Sequence, residues 1–232
     1  MPLLAEIIAA AARLVPEYCP RCGMAAARGY CGACRAAFHR IADPCPRCGL
    51  PAPCGPCPGR APGWLIDSVV APFAYANPLA GELLALKYGR QRRLGAILGQ
   101  LLADELERGP AGVEALVPVP LHPRRLRQRS FNQADEIARP LARRFGLPLL
   151  VAGIARCRET KAQSKLDRRG RLHGLDDAFR ITAPDLANRN IAVVDDVVTT
   201  GATINALAAA LTRAGAGRIT AVALARTTGT AG

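Results

Sequence analysis

Aromatic side chains are scarce in this chain: five Phe, four Tyr and one Trp make up 4% of its 232 residues. The interior therefore has to be built from Ala, Leu, Val and Ile, and aromatics interleaved with basic residues, the pattern of a base-stacking platform, are lacking. No Gly-Lys pair occurs, which removes the G-x-x-x-x-G-K-[ST] phosphate loop and the nucleotide hydrolases built on it. No run of eighteen apolar residues is present, so no membrane-spanning helix is expected. The stretch PLLAEIIAAAARLVPEYC has the length of a signal-peptide core, but it lacks a basic leader and carries Glu6 inside its apolar run. It reads as an amphipathic helix, and the protein is expected in the cytoplasm.

What is present is an apolar half, enough for one mid-sized domain plus a small attachment. The formal net charge of +13 is unevenly spread. Residues 116–180 hold fifteen Lys and Arg against six Asp and Glu, while residues 61–115 are close to neutral. A positive field confined to one segment draws polyphosphates and nucleic-acid backbones alike.

Eight of the nine cysteines form four C-x-x-C pairs, Cys19/Cys22, Cys31/Cys34, Cys45/Cys48 and Cys54/Cys57. In a cytoplasmic chain this is thiolate spacing for tetrahedral zinc rather than a disulfide framework. Cys54-Gly55-Pro56-Cys57 is also a thioredoxin-type redox sequence, but Pro51, Pro53 and Pro58 leave no strand before it and no helix after it. Two structural Zn2+ sites are expected, sequentially paired because that closes the shorter loops; an interleaved pairing is the alternative. The block carries almost no other core and should not fold without metal. Cys157 stands alone and is expected to be inert.

The chain's most informative stretch is Ile191 to Thr203, IAVVDDVVTTGAT. An apolar β-branched run followed by turn residues reads as a strand buried on both faces of a parallel sheet. Asp195 and Asp196 are then expected at its C-terminal end, the edge where open α/β sheets bind ligands. Beyond them, Thr199, Thr200, Gly201 and Thr203 open an alanine-rich helix, whose free N–H groups and dipole favour an anion. Carboxylates accept from sugar hydroxyls, whereas amides and threonines donate to a phosphate. A 5-phosphoribose requires both. The same strand ending in acids could belong to a Walker B element, but its phosphate-loop partner is absent.

This stretch resembles the binding motif of type I phosphoribosyltransferases. The resemblance implies that Asp195 and Asp196 hold the ribose hydroxyls of phosphoribosyl pyrophosphate (PRPP), that Val198, Thr199, Thr200, Gly201, Ala202 and Thr203 form the loop around its 5′-phosphate, and that Val197 belongs to the same PRPP-binding stretch.

Elsewhere, Pro58 to Gly63 reads as a Pro/Gly hinge, Ser68 to Tyr75 as a strand, and Leu79 to Leu106 as two helices or one kinked helix broken near Gly89. Lys87-Tyr88-Gly89 at that break reads either as a helix C-terminus or as a ligand contact. Leu116 to Leu121 is a strand ended by Pro118 and Pro120. Four arginines between Arg124 and Arg129 lead into a helix opening at Ser130 to Gln133 and running to about Phe145. An arginine run ahead of a helix N-terminus calls for an anion. Arg156 to Arg171 is a long charged loop, and the last elements are a helix from Ala202 to Ala214 and a strand from Ile219 to Leu224. Strands alternating with helices give a doubly wound α/β parallel sheet.

Several segments in order, Lys87 to Gly89, Val117 to Gln133, Arg156 to Leu166, Val194 to Thr203 and Ala225 to Thr227, together with the N-terminal cysteines, resemble the ComF family of phosphoribosyltransferase-like competence proteins. Ser130, where that family has glycine, and Gly174, where it commonly has asparagine, depart from the pattern. The resemblance implies a type I phosphoribosyltransferase-like domain over residues 63–232 behind a small N-terminal Cys-rich zinc domain over residues 1–62. It also implies a pyrophosphate loop at Pro120, Leu121, His122, Arg125 and Arg129, a flexible loop contributing Arg158, Lys161 and Gln163, and Mg2+ accompanying PRPP. If the protein is a transferase, Asp195, Asp196, Lys161 and Arg125 are its catalytic candidates and the acceptor base is not legible. The family further implies a role in DNA uptake during natural transformation, with single-stranded DNA and a DNA-uptake helicase or other competence proteins as partners. The alternative is a non-catalytic single-stranded DNA-binding accessory factor that uses the fold as a scaffold.

Overall fold

Ile191, Ala192, Val193 and Val194 are fully buried at the centre of a parallel sheet, as their unbroken apolar run requires. The structure, a computed structural model, describes residues 17–27, 29–158, 178–182 and 186–229. In chain order its elements are β1 (Glu17–Tyr18), β2 (Ala25–Ala26), α1 (Gly32–Ala36), a 3-10 turn (Pro58–Arg60), β3 (Ser68–Val70), β4 (Phe73–Ala74), α2 (Leu79–Tyr88), α3 (Arg92–Glu105) and β5 (Ala115–Pro118). There follow α4 (Pro123–Arg129), α5 (Gln133–Phe145), β6 (Ile154–Arg156), β7 (Phe179–Ile181), β8 (Ile191–Val198), α6 (Ala202–Arg213) and β9 (Ile219–Arg226).

β5, β8 and β9 lie side by side and parallel, and β3 then β4 run along the outer edge of β9. A parallel bridge from Leu116 to Leu149 extends the sheet beyond β5. From β5 the chain moves outward to Leu149; from β8 it crosses through α6 to β9. The winding thus reverses between β5 and β8, and the crevice at their C-terminal ends is where such a sheet takes a ligand.

Strand alternation feeds two cores. Ala192, Val194, Val222 and Leu224 pack against Leu83 and Leu86 of α2, Leu98 and Leu102 of α3, and Ile137 and Leu141 of α5. Ile191, Val193, Ala221 and Ala223 meet Ile204, Leu207 and Leu211 of α6 on the other face. α3 lies directly on α5 because position 99 is glycine: a Cβ there would sit 2.4 Å from the Ile137 carbonyl oxygen. Among the described residues no helix is long and apolar enough to cross a membrane.

The cysteine-rich segment brings more core than its sequence suggests. Tyr30 and Phe38 are buried in the main core, and Tyr30, Phe38 and Phe73 stack edge to face in series at 5.0 and 5.9 Å. Its backbone also covers the β3/β4 edge. Ala74 N donates to His39 O, Ile41 N to Pro72 O and Val69 N to Pro46 O, at 2.8, 2.9 and 2.8 Å, so the sheet offers no open ladder there. The stretch read as a hinge is pinned at both ends. Arg47 Nε donates to Gly59 O at 3.0 Å and Asn205 Nδ2 to Gly63 O at 2.8 Å.

The arginine run is a second correction. It precedes the expected helix, α5, but also forms a helix of its own, α4, with Pro123 in its first turn and His122 as N-cap, its Nδ1 accepting from Arg124 N. Arg127 and Arg129 therefore sit at the C-terminus of α4, where positive charge is favourable and offsets part of the cost of lying ahead of α5. Ser130 ends the helix with φ +67°, a left-handed conformation that glycine adopts without a Cβ penalty. Ser130→Gly is expected to stabilise the protein by about 0.5–1 kcal/mol, read as a rise of about 1–4 °C in a thermal melt. The N-terminal helix, Gly174 and most of the loop after Arg156 lie outside the described residues.

Candidate functional site

β8 runs two residues past the acids, because β9 extends to Arg226 and supplies partners for Val197 and Val198. The carboxylates are thus in the last half of the strand, and they stay within reach of each other: each bears on the other, and both bear on Lys87. Asp195 lines a cavity with Val197, Val198, Thr199, Gly201, Ala202 and Thr203. Asp196, only 7% exposed, turns toward α2, where Lys87 Nζ lies 2.5 Å from its Oδ2. Burial, then the neighbouring Asp196 charge, holds the Asp195 carboxyl well above the usual carboxylate range, although Asp196 N donates to its Oδ1 at 2.9 Å. Burial works against the Lys87 ammonium, but the Asp196 carboxylate outweighs it and raises the Lys87 pKa.

The turn into α6 is built for close approach. Gly201 has φ +79°, and a Cβ on it would lie 2.6 Å from Trp64 Cη2, so both backbone conformation and the indole demand glycine. Thr200 Oγ1 accepts from Ala202 N, and Asn205 of the first helical turns takes Leu65 N at 2.7 Å on its Oδ1. Trp64 and Asn205 together fasten the segment before β3 onto the loop.

Beneath the loop lies Arg226, 2% exposed. Its Nη1 donates to Val198 O at 2.9 Å and to Thr199 O, and its Nε donates to Cys48 O at 2.8 Å. Burial lowers its pKa.

Across the crevice, Val119 to His122 leave β5. Asn132 fixes this edge, donating from Nδ2 to Val119 O at 3.0 Å while its Oδ1 caps α5 at Ala134 N. Pro120, Leu121, His122 and Arg125 are partly buried along this edge. Arg129 donates to Gln133 Oε1 at 3.0 Å and lies over the Tyr88 ring at 5.4 Å, and Tyr88 is 72% exposed. Lys87-Tyr88-Gly89 is thus a helix end and also reaches the site. Arg158 is exposed; Lys161 and Gln163 lie outside the described residues.

The cysteines gather sequentially, Cys19, Cys22, Cys31 and Cys34 in one cluster and Cys45, Cys48, Cys54 and Cys57 in the other, each set within 4.8 Å. Sγ separations of 3.6 Å for Cys22–Cys31, 3.9 Å for Cys45–Cys57 and 3.7 Å for Cys48–Cys54 are too long for disulfides. They match the edge, about 3.8 Å, of a tetrahedron with Zn–S bonds of about 2.3 Å. Against its burial, the amides of Cys31, Cys22 and Arg21 draw the Cys19 thiol down to about 6, and those of Arg47 and Cys48 draw Cys45 to about 7. Both donor sets could hold zinc. Cys157 is exposed and belongs to neither.

Lys87, Trp64, Asn205 and Arg226 are the site residues that sequence reasoning did not assign. The Lys87-Tyr88-Gly89 break and the terminal Ala225-Arg226-Thr227 were the only signals for two of them.

Residues 133–231 match the phosphoribosyl transferase domain family, a span that begins after α4 and leaves out the cysteine clusters. DNA utilization protein YhgH of Escherichia coli (strain K12) is 36% identical over 231 residues, 97% of this chain and 90% of its own length. Competence protein F of Haemophilus influenzae is 30% identical over 204 residues, 85% of this chain and 84% of its own. Competence protein ComFC of Streptococcus pneumoniae is 29% identical over 154 residues, 66% of each chain.

Proposed function

The chain belongs to the ComF family of DNA utilization protein YhgH and competence protein F, and from that membership we propose that its β8–α6 crevice binds the 5-phosphoribosyl group of PRPP. The observation that carries the reading is a single cavity holding a carboxylate, Asp195, beside the Thr199–Thr203 turn at the reversal point of the sheet. Asp195 accepts from a ribose hydroxyl; the amides and hydroxyls from Thr199 to Thr203 hold the 5′-phosphate. Asp196 serves the ribose less directly, by keeping the Lys87 ammonium against the acids. The β5 edge from Pro120 to His122, with Arg125 and Arg129, faces the pyrophosphate, and Mg2+ bound with it would neutralise part of its charge.

Such a site favours displacement of pyrophosphate at ribose C1. The chain's part is to position the ribose and to stabilise charge on the departing pyrophosphate through arginine. No dedicated general base is needed for a nucleophilic base nitrogen. Calorimetry with PRPP and Mg2+ tests this: Arg125→Ala and Arg129→Ala are expected each to weaken PRPP binding about tenfold, the value of one charge-assisted hydrogen bond, while leaving ribose 5-phosphate binding unchanged. Equal losses for both ligands would remove the assignment of that edge, and a pyrophosphate-release assay across nucleobases then reads the acceptor.

One contact favours a second role, contact with single-stranded DNA in DNA uptake. Arg129 over the exposed Tyr88 ring supplies the aromatic that the sequence alone did not place near the basic helix α4. Neutralising Arg124, Arg125, Arg127 and Arg129 together is expected to flatten the salt dependence of DNA binding; a slope already near zero in the unaltered protein would contradict this role.

A further inference from the structure

We propose that Arg226 is a positioning residue that ties the phosphate loop at Val198–Gly201 to the metal loading of the Cys45/Cys48/Cys54/Cys57 cluster. Resting on the phosphoribosyl reading only for its consequence in binding, the inference itself concerns the ligand-free loop.

The guanidinium is 2% exposed, and among the described residues its hydrogen-bond partners are backbone carbonyls: Cys48 on one side, Val198, Thr199 and Thr227 on the other. A buried cation held only by carbonyl dipoles is costly unless a counter-charge lies near. Four thiolates around one Zn2+ carry a net charge of −2, and Cys48 is one of the four. Loading the cluster therefore supplies the charge that Arg226 lacks. The same side chain fixes two carbonyls at the point where β8 becomes the loop. A peptide unit is rigid, so fixing the Val198 and Thr199 carbonyls sets the direction of the following N–H groups, the donors an anion would use. Packing repeats the link: a Cβ at Gly49 would sit 2.8 Å from Val69 Cγ1 and 3.7 Å from Arg226 Cδ. The other cluster has an arginine as well, Arg21 with Nη1 3.7 Å from Cys34 Sγ, but that side chain is exposed and its hydrogen bond goes to the thiolate rather than to a loop carbonyl.

By linkage, zinc at the second cluster and a phosphorylated ligand at the loop then favour each other to the same degree. The deciding test needs no ligand. Amide hydrogen exchange over residues 198–203 is measured in the full chain, in Cys54→Ser/Cys57→Ser, in Arg226→Lys and in the three combined. Losing the second cluster is expected to speed loop exchange about tenfold in the Arg226 background. Arg226→Lys, which keeps the charge but not the fork, should show the same rise with two zinc ions still bound, and adding the cysteine changes should add nothing further. Arg21→Lys should leave the loop unchanged. Loop exchange in Arg226→Lys equal to the unaltered protein, or effects of arginine and cysteine changes that simply add, would overturn the inference. Absence of PRPP binding in the unaltered protein would instead count against the phosphoribosyl reading, and calorimetry shows that separately.

Discussion

Asp195→Asn is expected to raise the melting temperature at neutral pH, and Asp196→Asn to lower it, although the two residues are adjacent and share a charge. Asp195 is an acid whose folded-state pKa is raised by burial and by Asp196. Between the ordinary carboxylate range and that raised value the folded state binds more protons than the unfolded chain, so stability falls as pH rises through the window. Asparagine removes this cost, and the gap between variant and parent should open as pH rises through the window. Asp196 is different. It neutralises Lys87 at 2.5 Å, and the raised Lys87 pKa marks stability that persists at neutral pH and is lost only as pH climbs through the lysine range. Asp196→Asn removes the salt-bridge partner of a largely buried ammonium, at about 3–5 kcal/mol, or roughly 10 °C. Thermal melts at two pH values check both; equal shifts of one sign would contradict the assignment of the Lys87 counter-charge to Asp196.

The second large effect is metal removal. Stripping the chain with a strong chelator is expected to release two Zn2+ per molecule and to unfold the cysteine-rich segment, because an apparent zinc binding energy of about 10–16 kcal/mol per site rivals the stability of a whole domain. The damage should spread. Tyr30 and Phe38 leave the main core, and the β3/β4 edge loses the backbone of residues 39–46 that covers it. Association through that edge should follow, seen as light scattering on removal and its suppression by added Zn2+. A melting profile unchanged by the chelator would show that the thiolate clusters do not hold the segment together.

The parts legible in the sequence were local. Ile191 to Thr203 announces a strand, a turn and a helix start because each instruction lies within a few residues of the next, and the C-x-x-C pairs announce their clusters for the same reason. The parts that were not legible are contacts across the chain. Arg226 reaches Cys48 from 178 residues away, and Trp64 packs on Gly201. Lys87 lies far from Asp196 in sequence, so its role as counter-charge could be suspected only from the helix break beside it. Two readings failed for physical reasons that local signals contained. Pro123 after His122 is a helix start, outweighed in the reading by the charge of the arginines that follow. Val197 and Val198 are β-branched and prolong β8, so the strand runs two residues past the acids.

The single tryptophan provides the most direct measurement. Trp64 lies against Gly201 at the heart of the proposed phosphate cup, and as the only tryptophan its emission reports on that turn. Titrating PRPP with Mg2+ should shift Trp64 emission saturably in the unaltered protein, and the shift should be lost in the folded, more stable Asp195→Asn variant. Emission that stays constant throughout the titration, or that responds with the same affinity in Asp195→Asn, would contradict a phosphoribosyl site at the end of β8.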